Sequence, residues 1–287
     1  MKKIISAIAI MILITSVLLT GCDVIFTSSE DGEKGSGNLE TRQYDFTDFT
    51  KVEIGSAFDY EIERSNTYSI SITADDNMFE HIEVTRQGDT LEIDLKPFLH
   101  FGSVTLEATI TMPELHGLDS SGATRGTVTG FNSNNDLDLV VSGASKVNFV
   151  DITTGDIEGN ISGASKFEGK LTTGNIDMEI SGASDVDCEL KAGDVDLNVS
   201  GATRVEISGS GNYILVDASG ASRIRLGDYS VINADISMSG ASSCNIDVSG
   251  RIDIDLSGAS RLEYTGRPVI GSISLSGGSQ VNNENGD

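Results

Sequence analysis

Basic side chains are scarce in this sequence. Its 287 residues contain 19 Lys and Arg against 44 Asp and Glu, which gives a formal net charge of −25. A surface of this sign repels phosphate groups, so nucleic acid and anionic lipid headgroups are poor partners. We expect no nucleic-acid binding, and we expect the excess acid to keep the chain soluble.

Cysteine and histidine are also sparse, with three residues of each. The repeat described below places Cys188 and Cys244 about 14 Å apart, whereas the Cα atoms of a disulfide lie within about 7 Å. Both occupy positions where other repeats have Val, Ile or Leu, so we predict two free thiols in the core. The histidines, which have no Cys or His neighbour at ligand spacing, are predicted to lie on the surface or in loops: His81, His100 and His116.

Motifs that carry catalysis are missing. The sequence has no Gly-Lys-Ser/Thr phosphate loop and no Gly-x-Ser-x-Gly nucleophile elbow. Its recurrent serines have no base in a fixed partner position, and a catalytic centre is not built nine times over. We therefore expect a protein that is not an enzyme, without catalytic residues, cofactor or metal.

A tetrapeptide, Ser-Gly-Ala-Ser with small variations, recurs every 18 to 21 residues. A unit this short cannot bury its own apolar face, so it must stack on its neighbours in a solenoid. The nine copies begin at Ser121, Ser142, Ser162, Ser181, Ser200, Ser219, Ser239, Ser257 and Ser276.

Each repeat is predicted to contain two strands and two corners. Apolar and polar residues alternate before the tetrapeptide, as in 176–180, and apolar residues reappear in register after it, as at Val186. Alternation of period two indicates a half-buried strand. Gly tolerates the backbone conformation of a tight corner, so the tetrapeptide is predicted to bend the chain. A second Gly lies midway in several units, at Gly155, Gly174 and Gly193.

These features predict an all-β parallel β-helix with coils of about 19 residues. Such a coil has a perimeter of about 60 Å, and nine coils make a rod of roughly 40 Å. A β-propeller is the alternative, but its blades need about 40 residues.

The N-terminus is typical of a bacterial lipoprotein. Two lysines precede an apolar run of 16 residues, Ile4–Leu19, and small residues precede Cys22. A transmembrane anchor is the alternative, although about 20 residues are needed to span a bilayer. We predict a signal peptide over 1–21 and acyl chains such as palmitate on Cys22, which hold the protein at the outer side of a membrane.

The remaining chain divides into three parts. Residues 22–43 are polar and rich in Gly and Ser, which predicts a flexible tether. Residues 44–116 are predicted to form a β-rich cap and the first irregular coils, with a hairpin turn at 86–89, a helical turn capped near Asp75, and a degenerate tetrapeptide at 55–58. Residues 117–283 form the regular β-helix.

Two columns of like charge accompany the repeat. In six of the nine repeats an acidic residue stands four residues before the tetrapeptide, and in six a basic residue stands four residues after its first Ser. The acidic column could capture divalent cations; the simpler interpretation, which we favour, is a solvated face. The columns contain Asp138, Glu158, Asp177, Asp196, Asp235 and Asp253 on one side, and Arg125, Lys146, Lys166, Arg204, Arg223 and Arg261 on the other.

The segments 49–54, 72–77 and 110–115, together with the repeated tetrapeptide, resemble the head GIN domain family, a domain of unknown function whose members are described as auto-transporter adhesins. The resemblance covers roughly residues 44–280. It implies a right-handed β-helix on the bacterial envelope and implies no activity. The sequence leaves no room for a translocating barrel, so we expect no self-secretion.

The expected function is that of a non-catalytic, membrane-anchored cell-surface protein, adhesin-like or a scaffold. Its expected partners are the membrane, through Cys22, and an extracellular glycan or surface protein; homo-oligomers remain open. A polysaccharide-processing enzyme is the first alternative, because many β-helices act on polysaccharides and the stretch 95–104 could form an apolar loop. A divalent-cation-binding envelope protein is the second.

Overall fold

The computed structural model describes residues 32–97 and 101–284. The predicted signal peptide, Cys22 and His100 lie outside the described residues. The chain folds into strands and one short 3₁₀ helix, Asp76–Glu80. The strands are β1 Leu39–Tyr44, β2 Lys51–Ile54, β3 Asp59–Arg64, β4 Ser69–Asp75, β5 Ile82–Gln87, β6 Thr90–Leu95, β7 Leu106–Met112, β8 Gly117–Ser120, β9 Arg125–Thr129, β10 Leu137–Val141, β11 Lys146–Thr153, β12 Ile157–Ile161, β13 Lys166–Thr172, β14 Ile176–Ile180, β15 Asp185–Lys191, β16 Asp194–Val199, β17 Arg204–Ser210, β18 Tyr213–Ala218, β19 Arg223–Met238, β20 Ser243–Leu256, β21 Arg261–Thr265, β22 Val269–Leu275 and β23 Gln280–Asn283.

The strands stack into two parallel faces. The upstream face contains the strands that lead into each Ser-Gly-Ala-Ser corner, in the order β6-β2-β8-β10-β12-β14-β16-β18, and continues through β19, β20 and β22. The downstream face contains the strands that leave the corner, from β7 and β3 through β9, β11, β13, β15 and β17 to β23. Strands one repeat apart pair in a constant register, apart from local shifts between β11 and β13, β17 and β19, β19 and β20, and β20 and β22. The predicted parallel β-helix is confirmed.

The core is a column of apolar side chains between the two faces. Along β14, Ile176, Met178 and Ile180 are buried, whereas the residues between them are exposed. Cys188 and Cys244 are buried free thiols, as predicted. The interior is tightly filled, and the void beside Met178 has a volume of only about 20 Å³.

The tetrapeptide is the corner that the sequence predicts. In the fourth coil the backbone of Gly182 has φ +78°, which L side chains rarely adopt. The Ala183 N–H donates to the Gly163 carbonyl of the preceding coil at 2.8 Å, and the buried Ser184 hydroxyl donates to the Ser181 carbonyl at 2.8 Å. The fourth residue of the tetrapeptide therefore closes its own corner, which explains its repetition without any catalytic role.

A second ladder supports the corner at mid-coil. The Asp156 N–H donates to Asp136 Oδ1 at 2.9 Å, the Asn175 N–H donates to Asp156 Oδ1 at 2.6 Å, and the Asp194 N–H donates to Asn175 Oδ1 at 3.0 Å. Asp or Asn recurs here because its side-chain oxygen pairs with the backbone of the next coil.

The cap does not stack in chain order. Strands β6 and β7 lie outside β2 and β3, and β8 and β9 return to the inner edges of β2 and β3. The predicted hairpin is present, since β5 and β6 pair antiparallel across Gly88 and Asp89. The degenerate tetrapeptide is the first corner of the stack, with Ser56 and Ala57 at positive φ.

The structure corrects the predicted tether. Residues 39–43 of the predicted 22–43 segment belong to β1, which pairs antiparallel with β4. Asp75 does not cap the 3₁₀ helix with its side chain; its carboxylate accepts the N–H groups of Gly37 at 2.7 Å and Thr105 at 2.8 Å. The polar composition misled the prediction because the free edge of β4 supplies backbone hydrogen bonds whatever the side chains are.

Candidate binding surface

The acidic column follows the upstream face as predicted. Asp138 stands beside Glu158, Glu158 beside Asp177, and Asp177 beside Asp196, one residue per strand. Leu215 interrupts the column, which resumes where Asp235 faces Asp253. Neighbouring parallel strands lie about 4.8 Å apart, so these carboxylates are close enough to repel one another.

Most of this repulsion is uncompensated. Burial, and next the charges of Asp177 and Asp217, raise the pKa of Asp196. Burial, and next the charges of Asp253 and Asp255, raise the pKa of Asp235. Burial and the neighbouring carboxylates therefore disfavour the charged form of these side chains, and positive charge from a partner lowers the energy of the upstream face.

Ion pairs form near the two ends of the acidic column. Lys51 Nζ lies 2.7 Å from Asp138 Oδ2 on the cap side, and Arg251 Nε lies 2.6 Å from Asp253 Oδ2 near the other end. Arg251 and Ser272 lower the pKa of Asp253 through hydrogen bonds. The middle of the column, Glu158, Asp177 and Asp196, forms no salt bridge among the residues described.

The downstream face balances its own charges. Lys146 and Lys166 both reach Glu168, at 2.7 and 2.5 Å. In later coils, Arg204 and Arg225 both reach Glu206, at 2.6 and 3.2 Å. These hydrogen bonds lower the pKa of each glutamate. Three of the six residues of the basic column, Lys146, Lys166 and Arg204, are therefore paired with a glutamate, and Asp185 interrupts the column.

An open groove of about 650 Å³ lies on the downstream face beside the cap. Its wall combines the outward side chains of β3, β7, β9 and β11, including Asp59, Glu61 and Glu107 against Arg125 and Lys146. Arg125 spans part of it, with Nη1 3.5 Å from Asp59 Oδ1. A shallow cleft of mixed charge suits a polar ligand.

The acidic column does not gather ligands for a metal ion. Over 32–97 and 101–284, the one group of three metal-binding side chains that meets within 4.8 Å lies in the cap, at Glu33, Glu80 and His81. His116 lies 3.3 Å from Glu114 and outside that group. Sequence reasoning missed the cap cluster because it considered only Cys and His neighbours, and because Glu33 lies far away in the chain.

The repeat, the corners and the cap match a known family, described as "Putative auto-transporter adhesin, head GIN domain", over residues 48–187 and 165–268. The chain belongs to this family. The resemblance predicted from the sequence is confirmed, and the family suggests a location at the cell surface. No curated protein sequence matches the chain.

Solved structures share the fold of this family member at low sequence identity. One described as a putative adhesin from Parabacteroides distasonis ATCC 8503 aligns with TM-score 0.65 and 17% identity, over 88% of this chain and 100% of its own. A putative adhesin from Parabacteroides merdae ATCC 43184 gives 0.61 and 17%, over 88% and 99%. A putative lipid binding protein from P. distasonis gives 0.60 and 16%, over 87% and 98%.

Family and neighbours are described as adhesins and a lipid-binding protein, not as enzymes. No helix in the described part of the chain is both long and apolar enough to cross a membrane.

Proposed function

We propose that this protein is a non-catalytic, adhesin-like rod, anchored to the outer side of a membrane through acyl chains on Cys22, and that its upstream face is the binding surface. The observation that carries the proposal is the uncompensated acidic column on a regular, loop-free sheet. A partner with positively charged groups relieves the repulsion among Asp177, Asp196 and their neighbours. The partner is then a basic region of a surface protein or a cationic glycan.

The charge distribution favours this face over the downstream face. On the downstream face Lys146 and Lys166 already pair with Glu168, and Arg204 and Arg225 already pair with Glu206, so a ligand must break these ion pairs to bind there. Within 32–97 and 101–284, the members of the acidic column between Asp138 and Asp253 form no ion pair that a ligand would have to break. Repetition along the rod spreads weak contacts over several coils, which multiplies affinity without a deep pocket.

The alternatives have less support. A polysaccharide-processing enzyme needs carboxylates set in one walled groove, and the coils lack such walls. Cation capture by the column needs several oxygens around one ion, and no three of its carboxylates in the described chain come together. Lipid inside the coils does not fit beside Met178, where the void of about 20 Å³ has room for about one water molecule.

The anchor is tested by cell fractionation. The native protein is expected in the membrane fraction, and protease cleavage between residues 23 and 32 is expected to release the rod. Cys22→Ala is expected to move the protein out of that fraction, because no acyl chain can be attached. A Cys22→Ala protein that stays on the membrane contradicts the anchor.

The binding surface is tested by retention on immobilised polysaccharides: cationic chitosan, neutral dextran and acidic alginate, with and without Ca²⁺. We expect retention on chitosan without cleavage, and weaker retention of the triple variant Asp177→Asn, Asp196→Asn and Asp235→Asn. The matched control removes the same charge downstream, with Asp187→Asn, Asp185→Asn and Glu189→Gln. Equal losses in both variants indicate net charge alone and contradict the proposed face.

Two further outcomes distinguish the competing functions. Cleavage that saturates with substrate supports an enzyme and overturns the adhesin proposal. Deletion of one coil, residues 181–199, should leave a folded rod with modestly reduced retention, because β14 can then pair with β18 in the same register. Complete loss of retention from a folded deletion variant indicates a single local site instead of a repeated surface.

A further inference from the structure

We propose that Glu33, Glu80 and His81 form a zinc site in the cap. A bound ion would hold the segment before β1 against the rod. The three residues come from two places in the chain. Glu80 ends the 3₁₀ helix and His81 follows it, whereas Glu33 lies in the segment before β1. The site is independent of the acidic column and of the proposed binding surface.

The distances between ligand atoms suit a metal ion. His81 Nε2 lies 2.9 Å from Glu33 Oε2 and 3.7 Å from Glu80 Oε1. Zinc holds nitrogen and oxygen ligands at about 2.1 Å, which places neighbouring ligand atoms roughly 3.0 to 3.4 Å apart. The observed separations lie on either side of that range, so small side-chain rotations bring all three atoms onto one ion.

The imidazole nitrogen has no hydrogen bond among the described residues. Nε2 of His81 is buried and makes no hydrogen bond within the described residues, although Glu33 Oε2 lies 2.9 Å away. A buried polar atom without a partner is costly. A metal ion between the three groups satisfies this nitrogen and the two carboxylates together.

The surroundings hold these side chains in place. The Glu33 carbonyl accepts the Gly102 N–H at 2.9 Å, which fixes the backbone of the segment. Asn77 Nδ2 donates to the Lys34 carbonyl at 3.0 Å and approaches Glu33 Oε1 at 3.4 Å. The His81 ring packs against Phe101, with ring centroids 5.6 Å apart. Supporting contacts of this kind orient metal ligands.

The donor set selects the class of metal. One imidazole nitrogen with two carboxylates suits Zn²⁺ or a similar transition ion, whereas Ca²⁺ requires six or more oxygens. Three protein ligands leave a fourth position for water. Lys96 Nζ donates to the Glu80 carbonyl at 2.5 Å. Its positive charge repels a bound metal ion and lowers the affinity. We therefore expect affinity in the micromolar range.

The test uses the full chain with Cys22→Ala, which removes a thiol that would itself bind zinc. Isothermal titration with Zn²⁺ should show one site, unaffected by millimolar Ca²⁺. Glu33→Gln should weaken binding by roughly tenfold or more, and His81→Gln should abolish it. Glu63→Gln, an exposed carboxylate on β3 outside the site, is the matched control and should bind as the parent does.

A second measurement tests whether zinc holds the segment before β1 to the rod. Zn²⁺ should slow trypsin cleavage after Lys34 in the parent and in Glu63→Gln, but not in Glu33→Gln. Glu33 is exposed, so its replacement should not disturb folding even if His81→Gln does. The proposal is overturned if Glu33→Gln binds zinc as tightly as the parent, if several equivalent weak sites appear, or if no zinc binds at micromolar concentration.

Discussion

Replacing the corner glycine Gly182 with Ala should strongly destabilise the β-helix. Its backbone has φ +78°, where a Cβ costs about 1 to 2 kcal/mol. The added Cβ also collides with the Gly163 carbonyl oxygen of the preceding coil and lies 3.0 Å from the Gly163 nitrogen. The corner must therefore move away from its neighbour.

That movement strains two hydrogen bonds. The Ala183 N–H donates to the Gly163 carbonyl, and the Ala202 N–H donates to the Gly182 carbonyl, both at 2.8 Å. Each contributes about 1 kcal/mol net, so the total loss should be about 3 to 4 kcal/mol. Equilibrium urea unfolding followed by far-UV circular dichroism measures this loss, with tyrosine fluorescence as a second probe because the chain has six Tyr and no Trp.

Gly159→Ala is the matched control for the same chemical change. Gly159 is buried inside β12 outside the left-handed region, and its new Cβ would lie 3.0 Å from Met178 Cε, the flexible end of a side chain. The neighbouring core has a small void. This variant should be within about 1 kcal/mol of the parent. The corner argument is refuted if Gly182→Ala unfolds at the parent's midpoint, or if Gly159→Ala is equally destabilised.

Three further outcomes are expected. Val199→Asp buries a carboxylate without a partner and should cost several kcal/mol in denaturant melts, whereas the adjacent, exposed Asn198→Asp should cost little; equal losses would show that the inside and outside of β16 are misassigned. Burial raises the pKa of Asp119, so the folded state takes up its proton more readily and stability falls as pH rises above the ordinary carboxyl value of 3.8. Asp119→Asn should therefore stabilise the chain at pH 7 and make no difference below that value, and melts at both pH values test this; stabilisation that is the same in acid would contradict it. Burial raises the pKa of Cys188 and Cys244 to about 12, so Ellman's reagent should label both thiols only after unfolding, and rapid labelling of the native Cys22→Ala chain would argue against a closed core.

The repeat region could be predicted from the sequence because each coil meets nearly the same neighbours as the next. The period defines the register, the alternation separates Ile180 from Glu179, and the glycine of each tetrapeptide marks the corner. Every one of these relations is local, or is repeated at one fixed separation. The free thiols of Cys188 and Cys244 followed from the same arithmetic.

The N-terminal third required the tertiary structure. It has no period, so its strand partners depend on which edges are free when the chain returns: β8 pairs with the free edge of β2 and not with β6, which is nearer to β8 in sequence, and β1 pairs with β4 although its composition is that of a tether. The balance of charge on the two faces also depends on tertiary contacts, because Glu168 meets Lys146 across coils, whereas Asp196 forms no ion pair with any described residue. Backbone pairing in the folded chain likewise brings Glu33 close to His81, and no regular spacing in the sequence indicates this contact. Interactions that repeat can be inferred from the sequence, whereas pairings that occur once are decided by the competition for open strand edges in the folded chain.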